Sequence, residues 1–269
     1  MSVRDGRRSE AHIALLIDAD NSPAAKIDVI LTELSTFGVT NVRRAYGNWK
    51  KNELKGWEDK LHEHAIRPMQ QFDYSKRKNA SDMAMVIDAL ELLYTDQPDA
   101  FGIVSSDADF TPLVMHLRAK GAAVYGFGAQ KTPEPFVNAC SRFLYLDRLG
   151  TVEVLEAPAT LEMPSLKDAV TTAKPAQPLR VTPEQLKKDT KLISLLRGAV
   201  IASEDEDGWA KVGLVGTHIG NKASFDPRNY GYSTLTKLLE ATGAFDLRDV
   251  GTSKVSVRDK RHFLASIGA

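Results

Sequence analysis

His12-Ile13-Ala14-Leu15-Leu16-Ile17-Asp18-Ala19-Asp20-Asn21 is a short apolar run that stops on two carboxylates and a carboxamide. A continuous apolar run of this length reads as a strand buried on both faces. The pattern recurs at Phe101-Gly102-Ile103-Val104, which leads into Ser105-Ser106-Asp107-Ala108-Asp109-Phe110, and Ser81-Asp82 adds a carboxylate where a helical segment opens. Like charges raise one another's pKa, so gathering carboxylates in one place is costly. A divalent cation removes that cost, and an oxygen-rich cluster with open positions suits Mg²⁺ or Mn²⁺.

Working outward, residues 11–148 alternate strand-like and helix-like segments. Strands are expected at 12–17, 41–46, 66–71, 101–105, 122–126 and 143–146. Helices are expected at 25–37, 55–64, 81–94, 110–120 and 134–139. Short apolar strands separated by helices of about 10–14 residues define an α/β fold, a parallel sheet flanked by helices. Gly38 and Gly121 suit helix ends, and Pro133 suits a helix start.

In such open sheets ligands gather beyond the carboxyl ends of the strands, where the strand order switches. If the first and fourth strands are neighbours, Asp18, Asp20, Asn21, Asp107 and Asp109 converge there, with Asp82 beside them. Two cations about 3.5–4 Å apart could then activate a water and neutralise the leaving oxygen of a phosphodiester. Asn21 would orient a water or a phosphate oxygen. Asp88 is a further metal-ligand candidate, but it follows Asp82 by six residues, about 240° round a helix, so the two do not face one point equally. Local roles compete with these: Asp109 could be a helix N-cap, and Asp20 could form a turn around Asn21-Ser22-Pro23.

The chain has 269 residues, ample for two domains, with 43% hydrophobic and 26% charged residues, an ordinary globular composition. No apolar run reaches the ~18–20 residues that cross a bilayer, and residues 1–10 lack the apolar core of a secretory signal. Cys140 is the only cysteine, which excludes an intrachain disulfide and a zinc site of paired thiolates. A cytoplasmic protein with no membrane partner is expected.

The 35 basic and 35 acidic residues cancel, yet their distribution is uneven. Residues 43–78 carry ten Lys/Arg against five acids, with Tyr46, Trp49, Trp57, Phe72 and Tyr74 interleaved. Cations mixed with flat rings suit single-stranded nucleic acid, which makes Arg43, Arg44, Lys50, Lys76, Arg77 and Lys78 candidate RNA contacts. A solvated helical face over core aromatics would give the same composition.

Prolines 158, 164, 175, 178 and 183 mark a stretch of little periodicity, expected to be a semi-extended linker. The chain thus divides into residues 1–150, a linker at 151–183 and a compact unit at 184–269. That unit offers helical segments near 188–202, 211–219 and 233–242, then strands at 245–250 and 254–258 about Gly251-Thr252-Ser253. Three helices followed by a hairpin is a winged helix-turn-helix pattern.

The segments Leu16-Ile17-Asp18-Ala19-Asp20-Asn21, Lys78-Asn79-Ala80-Ser81-Asp82 through Asp88-Ala89-Leu90, and Val104-Ser105-Ser106-Asp107-Ala108-Asp109-Phe110 closely resemble the NYN domain of the PIN-like nuclease superfamily. The resemblance spans about residues 11–148. It implies a PIN-like fold and Mg²⁺- or Mn²⁺-dependent cleavage of RNA, with Asp18, Asp82 and Asp107 at the acidic positions and Asn21, Asp88 and Asp109 supporting them. Residues 184–260 resemble the OST-HTH (LOTUS) domain through Trp209-Ala210-Lys211-Val212-Gly213, the run from Asp226-Pro227-Arg228-Asn229-Tyr230-Gly231-Tyr232 to Leu235, and Leu238 through Phe245. That resemblance implies binding of RNA or of a protein partner. Lys222, Arg228, Lys237, Arg248, Lys254 and Arg258 could meet phosphates, while the acidic stretch 204–207 would repel them.

Other signals are weaker. Gly126-Phe127-Gly128 is a lone Gly-x-Gly late in the alternating domain, whereas dinucleotide sites place theirs after the first strand. His62 and His64 suit surface positions, and Cys140 a small buried one. Asp18-Ala19-Asp20 also resembles the Asp-x-Asp of haloacid dehalogenase-type phosphatases, with a nucleophilic first Asp, but that reading leaves Asp82 unexplained. A non-catalytic RNA-binding adaptor is the remaining alternative.

Overall fold

A computed structural model describes residues 10–72, 80–149 and 180–261. Lys76, Arg77 and Lys78, and the expected linker up to residue 179, lie outside the described residues. In the first half, β1 (His12–Asp18), β2 (Val39–Gly47), β3 (Arg67–Gln70), β4 (Ala100–Val104), β5 (Ala123–Gly128) and β6 (Arg142–Tyr145) form one sheet in the order β3-β2-β1-β4-β5-β6. All its neighbouring strands are parallel. The chain moves outward from β1 to β3 and then returns to lay β4 against the other side of β1. The strand order therefore switches between β1 and β4.

The connections carry α1 (Ile27–Ser35), α2 (Glu58–Glu63), α3 (Ala80–Thr95), α4 (Thr111–Ala119) and α5 (Glu134–Ala139). Successive residues of a strand point to opposite faces, and in β1 both faces are covered. Ala14 and Leu16 pack in one core with Met85, Ala89 and Leu92 of α3, Val114 of α4 and Phe136 of α5. Ile13, Leu15 and Ile17 pack in a second core with Ile27, Ile30 and Leu34 of α1 and with Leu54 and Trp57. These five β1 side chains are at most 1% exposed, each contributing about 1.5–3 kcal/mol if it is Leu or Ile. That double burial is why the run shows no polar alternation.

The element boundaries differ in places from the expected ones. The helix expected at 25–37 begins as a 3-10 turn, Ala24–Lys26, and ends at Ser35. The one expected at 55–64 is a 3-10 segment, Asn52–Trp57, followed by α2; the tighter turn buries Leu54 and Trp57. Gly126-Phe127-Gly128 is a packing device. A Cβ at Gly126 would lie 2.6 Å from Cys140 Sγ, and one at Gly128 2.6 Å from the Ser105 carbonyl oxygen.

The C-terminal half holds α6 (Pro183–Lys188), α7 (Thr190–Ile201), β7 (Ala210–Lys211), α8 (Val212–Lys222), α9 (Leu235–Thr242), β8 (Phe245–Arg248) and β9 (Ser256–Asp259). The helix expected near 188–202 is α7, and a short helix that was not expected, α6, precedes it. Thr182 and Gln185 form a capping box on α6, and Asp189 caps α7 by accepting from the Leu192 amide. The expected hairpin is present, joined by β7 into an antiparallel sheet in the order β7-β9-β8. Leu192, Leu196, Val200, Val215, Ile219, Leu238, Leu239 and Val257 form a separate core. Among the described residues no helix is long and apolar enough to cross a membrane.

Candidate active site

The register pairs Ile17 with Val104, so the carboxyl ends of β1 and β4 lie side by side at the switch point. Asp18, the last residue of β1, is 1% exposed. Its Oδ2 accepts from Asn21 Nδ2 at 3.0 Å and from the Ser105 hydroxyl at 2.9 Å. Its Oδ1 is buried and has no hydrogen-bond partner among the described residues. Burial pushes the Asp18 carboxyl above its usual pKa; the bonds from Asn21 and Ser105 oppose this, and Asp20 adds repulsion. Asn21 therefore holds Asp18.

Ser105 links the two halves of the site. Besides donating to Asp18, its hydroxyl oxygen accepts from the Asp107 amide at 3.1 Å. Asp107 caps the 3-10 turn Ala108–Phe110 by accepting from the Asp109 amide at 2.8 Å through Oδ1. The capping role considered for Asp109 thus falls to Asp107, and Asp109 is exposed.

Asp82 stands in the first turn of α3. Its pKa is pushed up to about 6, first by burial and then by the charges of Asp18, Asp107, Asp20 and Asp109. The fold therefore brings Asp18, Asp82, Asp107 and Asp109 within electrostatic reach of one another. Asp20, for which a local turn was the competing role, joins them. It accepts from the Ser81 hydroxyl at 2.8 Å and from Lys51 Nζ at 3.3 Å. The signal for it was the Asp-x-Asp spacing beyond a buried strand.

Two expectations are corrected. Asp88, a candidate metal ligand, is buried, and Arg44 and the Tyr46 hydroxyl donate to its two oxygens. A carboxylate with both oxygens committed to an ion pair and a phenol is a structural anchor. Arg43 and Arg44, candidate RNA contacts, are also engaged within the fold: Arg43 donates to the carbonyls of Thr40 and His64, and Arg44 to Asp88. Lys50 is exposed, its ammonium 5.0 Å from the centre of the half-exposed Phe72 ring.

His64, expected at the surface, is instead mostly buried. It forms with Asp28 and Glu63 a group whose donor atoms all lie within 4.8 Å. Lys60 already supplies positive charge there, 3.2 Å from Asp28 and 2.7 Å from Glu63. Among the described residues the carboxylates around Asp82 do not form a set that tight. The orphaned Asp18 oxygen and the all-oxygen donor set fit a hard divalent cation.

A parallel sheet covered on both faces, with acidic residues meeting at its switch point, is the architecture of the PIN-like nuclease superfamily, whose members generally use divalent metal ions. The family model of the NYN domain matches residues 12–147, and the chain belongs to that family. The OST-HTH/LOTUS domain model matches residues 184–257. Both domain types generally bind RNA.

An uncharacterized protein of Methanocaldococcus jannaschii is 32% identical over 128 residues, 46% of this chain and 50% of that protein. The chain thus spans about half the length of this curated relative. Among solved structures, a protein of unknown function from Vibrio parahaemolyticus is 19% identical with a TM-score of 0.41, over 52% of this chain and 96% of that one. An uncharacterized protein of Nitrosomonas europaea is 24% identical with a TM-score of 0.22, over 39% and 92%.

Proposed function

We propose that the chain is a metal-dependent ribonuclease that hydrolyses RNA phosphodiester bonds at the Asp18–Asp82–Asp107 cluster, with its C-terminal module holding RNA or a protein partner. The observation that carries this reading is the buried, unpartnered Oδ1 of Asp18, set among carboxylates whose repulsion raises Asp82. Asp18, Asp82 and Asp107 would hold Mg²⁺ or Mn²⁺, with Asp109 at the exposed rim.

Bound there, a divalent ion would lower the pKa of an attacking water and neutralise charge on the phosphate. The remaining work belongs to side chains. Asn21 and Ser105 fix the Asp18 rotamer by both donating to Oδ2, which leaves Oδ1 for the ion. Ser81 and Lys51 hold Asp20 beside Asp82. Lys50 and Phe72 offer a cation and a flat ring to an unpaired, single-stranded segment. A cytoplasmic setting belongs to the same reading, from the lone cysteine.

Labelled single-stranded RNA incubated with the purified chain and Mn²⁺, beside Asp18→Asn, tests it. Cleavage by the parent chain alone is the expected result. Equal residual cleavage in both would mean contamination, and RNA binding without cleavage would favour the adaptor.

A further inference from the structure

β6 closes one end of the sheet, so among the described residues one side of it carries backbone groups with no strand to pair with, a feature that proteins usually cover. Here the cover comes from the other domain. Asn229 Nδ2 donates to the Phe143 carbonyl at 2.9 Å, and Asn229 Oδ1 accepts from the Tyr145 amide at 3.2 Å. One carboxamide thus supplies the donor and the acceptor that a neighbouring strand would have brought.

Charges flank this contact. Arg228 pairs with Glu33 of α1 while also donating from Nη2 to Asp226 at 2.9 Å and from Nε at 3.0 Å. Asp226 is 3% exposed, and Arg142 of β6 approaches it to 3.8 Å. The Arg142 guanidinium lies over the Phe37 ring, which stacks on Tyr125. A fully exposed Lys191–Glu134 pair at 3.5 Å adds little.

We propose that the Asp226-Pro227-Arg228-Asn229 segment is an intramolecular dock that locks the C-terminal domain onto the open β6 edge of the NYN domain in one orientation. The recognition is that of strand addition, main-chain groups read by a complementary pair of atoms, with Glu33 setting the direction through Arg228. Covalent connection alone would not do this. Residues 150–179 join the two units, and a connection of thirty residues does not by its length alone fix their orientation. Being parts of one chain does hold the two surfaces at high effective concentration, so a small polar interface suffices. Arg228, expected to meet phosphate, is spent on the dock. Whatever the C-terminal domain holds is then presented from the β6 side, two strands or about 10 Å from β4, whose end carries Asp107.

The test uses the full-length chain carrying Met115→Cys and Leu214→Cys, two exposed positions on α4 and α8, spin-labelled for distance measurement. The native thiol of Cys140 is buried and does not compete. The parent should give one narrow distance distribution that is unchanged on dilution. Asn229→Ala and Glu33→Arg should each broaden it toward the spread of a free tether, with helical circular dichroism unchanged. Glu33→Asp, which keeps the charge opposite Arg228, should broaden it less than Glu33→Arg. A broad parent distribution, broadening on dilution, or variants that match the parent would overturn the dock. Broadening that comes with loss of helical signal would assign these side chains to folding and overturn it equally. No outcome depends on whether RNA is cleaved.

Discussion

Asp88 and Arg44 are paired beneath α3, with the Tyr46 hydroxyl on the second carboxylate oxygen. Tyr46 stands opposite Asp18 in the β1–β2 register, so this trio braces the sheet directly beside the carboxylate cluster. Asp88→Ala should therefore lower stability by about 2–3 kcal/mol, somewhat under the loss for a wholly buried pair because the Arg44 side chain keeps 21% of its surface exposed. Chemical denaturation measures this loss. Stabilisation by Mn²⁺ should persist in the variant, and its disappearance would return Asp88 to the set of ligands.

Divalent ions should stabilise the parent chain by mass action. At a hundredfold excess of Mn²⁺ over its dissociation constant the gain is about 2.7 kcal/mol. Thermal melts should show that rise in the parent and not in Asp107→Asn or Asp18→Asn. An equal rise in all three would place the ion elsewhere, with Asp28, Glu63 and His64 the first group to test.

Asp82 has its pKa raised from 3.8 to about 6 in the folded chain. The folded state then binds more protons than the unfolded state across that interval, so this group takes stability away as pH rises from about 4 to 6 in metal-free buffer. Asp82→Asn removes the penalty. Half-burial leaves part of the repulsion screened by water, so a gain of about 2–4 °C in metal-free melting temperature near pH 7 is expected, the shift that ~1 kcal/mol produces in a chain of this size. The gain should vanish at pH 4, where the carboxyl of the parent is protonated when folded.

Cys140 is buried, its pKa pushed up to about 12 by burial, with the nearby Arg118 charge opposing this. Its Sγ–H donates to the Phe136 carbonyl at 3.3 Å. Since the thiolate is the reactive form, a disulfide reagent at pH 8 should modify the native chain at least about a thousandfold more slowly than the unfolded chain. Comparable rates with and without denaturant would show that the pocket around Gly126 and Phe143 opens readily.

The main frame was legible because each decisive residue announces itself locally. β1 and β4 are apolar enough to declare burial on both faces, and the aspartates that follow them needed only the strand-order switch to meet. Asp20 was harder, since a local turn explains it equally well until Ser81 and Lys51 arrive from 61 and 31 residues away. Arg43, Arg44 and Asp88 were misread for the same physical reason. A charge in a sequence carries no mark of its partner, and theirs lie 21 and 44 residues distant. α6 was readable in principle, because Thr182, Pro183 and Gln185 make a capped helix start, yet six residues are too few to show a helical period. Asn229 carried no signal at all, because what it recognises is the bare backbone of β6.

The Ser105 hydroxyl ties the end of β1 to the loop after β4 through a single atom, donating to Asp18 while accepting from the Asp107 amide. A slip of β1 past β4 would break the bond to Asp18 while Asp107 moved with the serine, so the spacing of the acids is governed by the alignment of the sheet. Anyone transplanting this acidic quartet into a different scaffold would have to carry the serine with it, or the two halves would drift apart at the first rearrangement of the host.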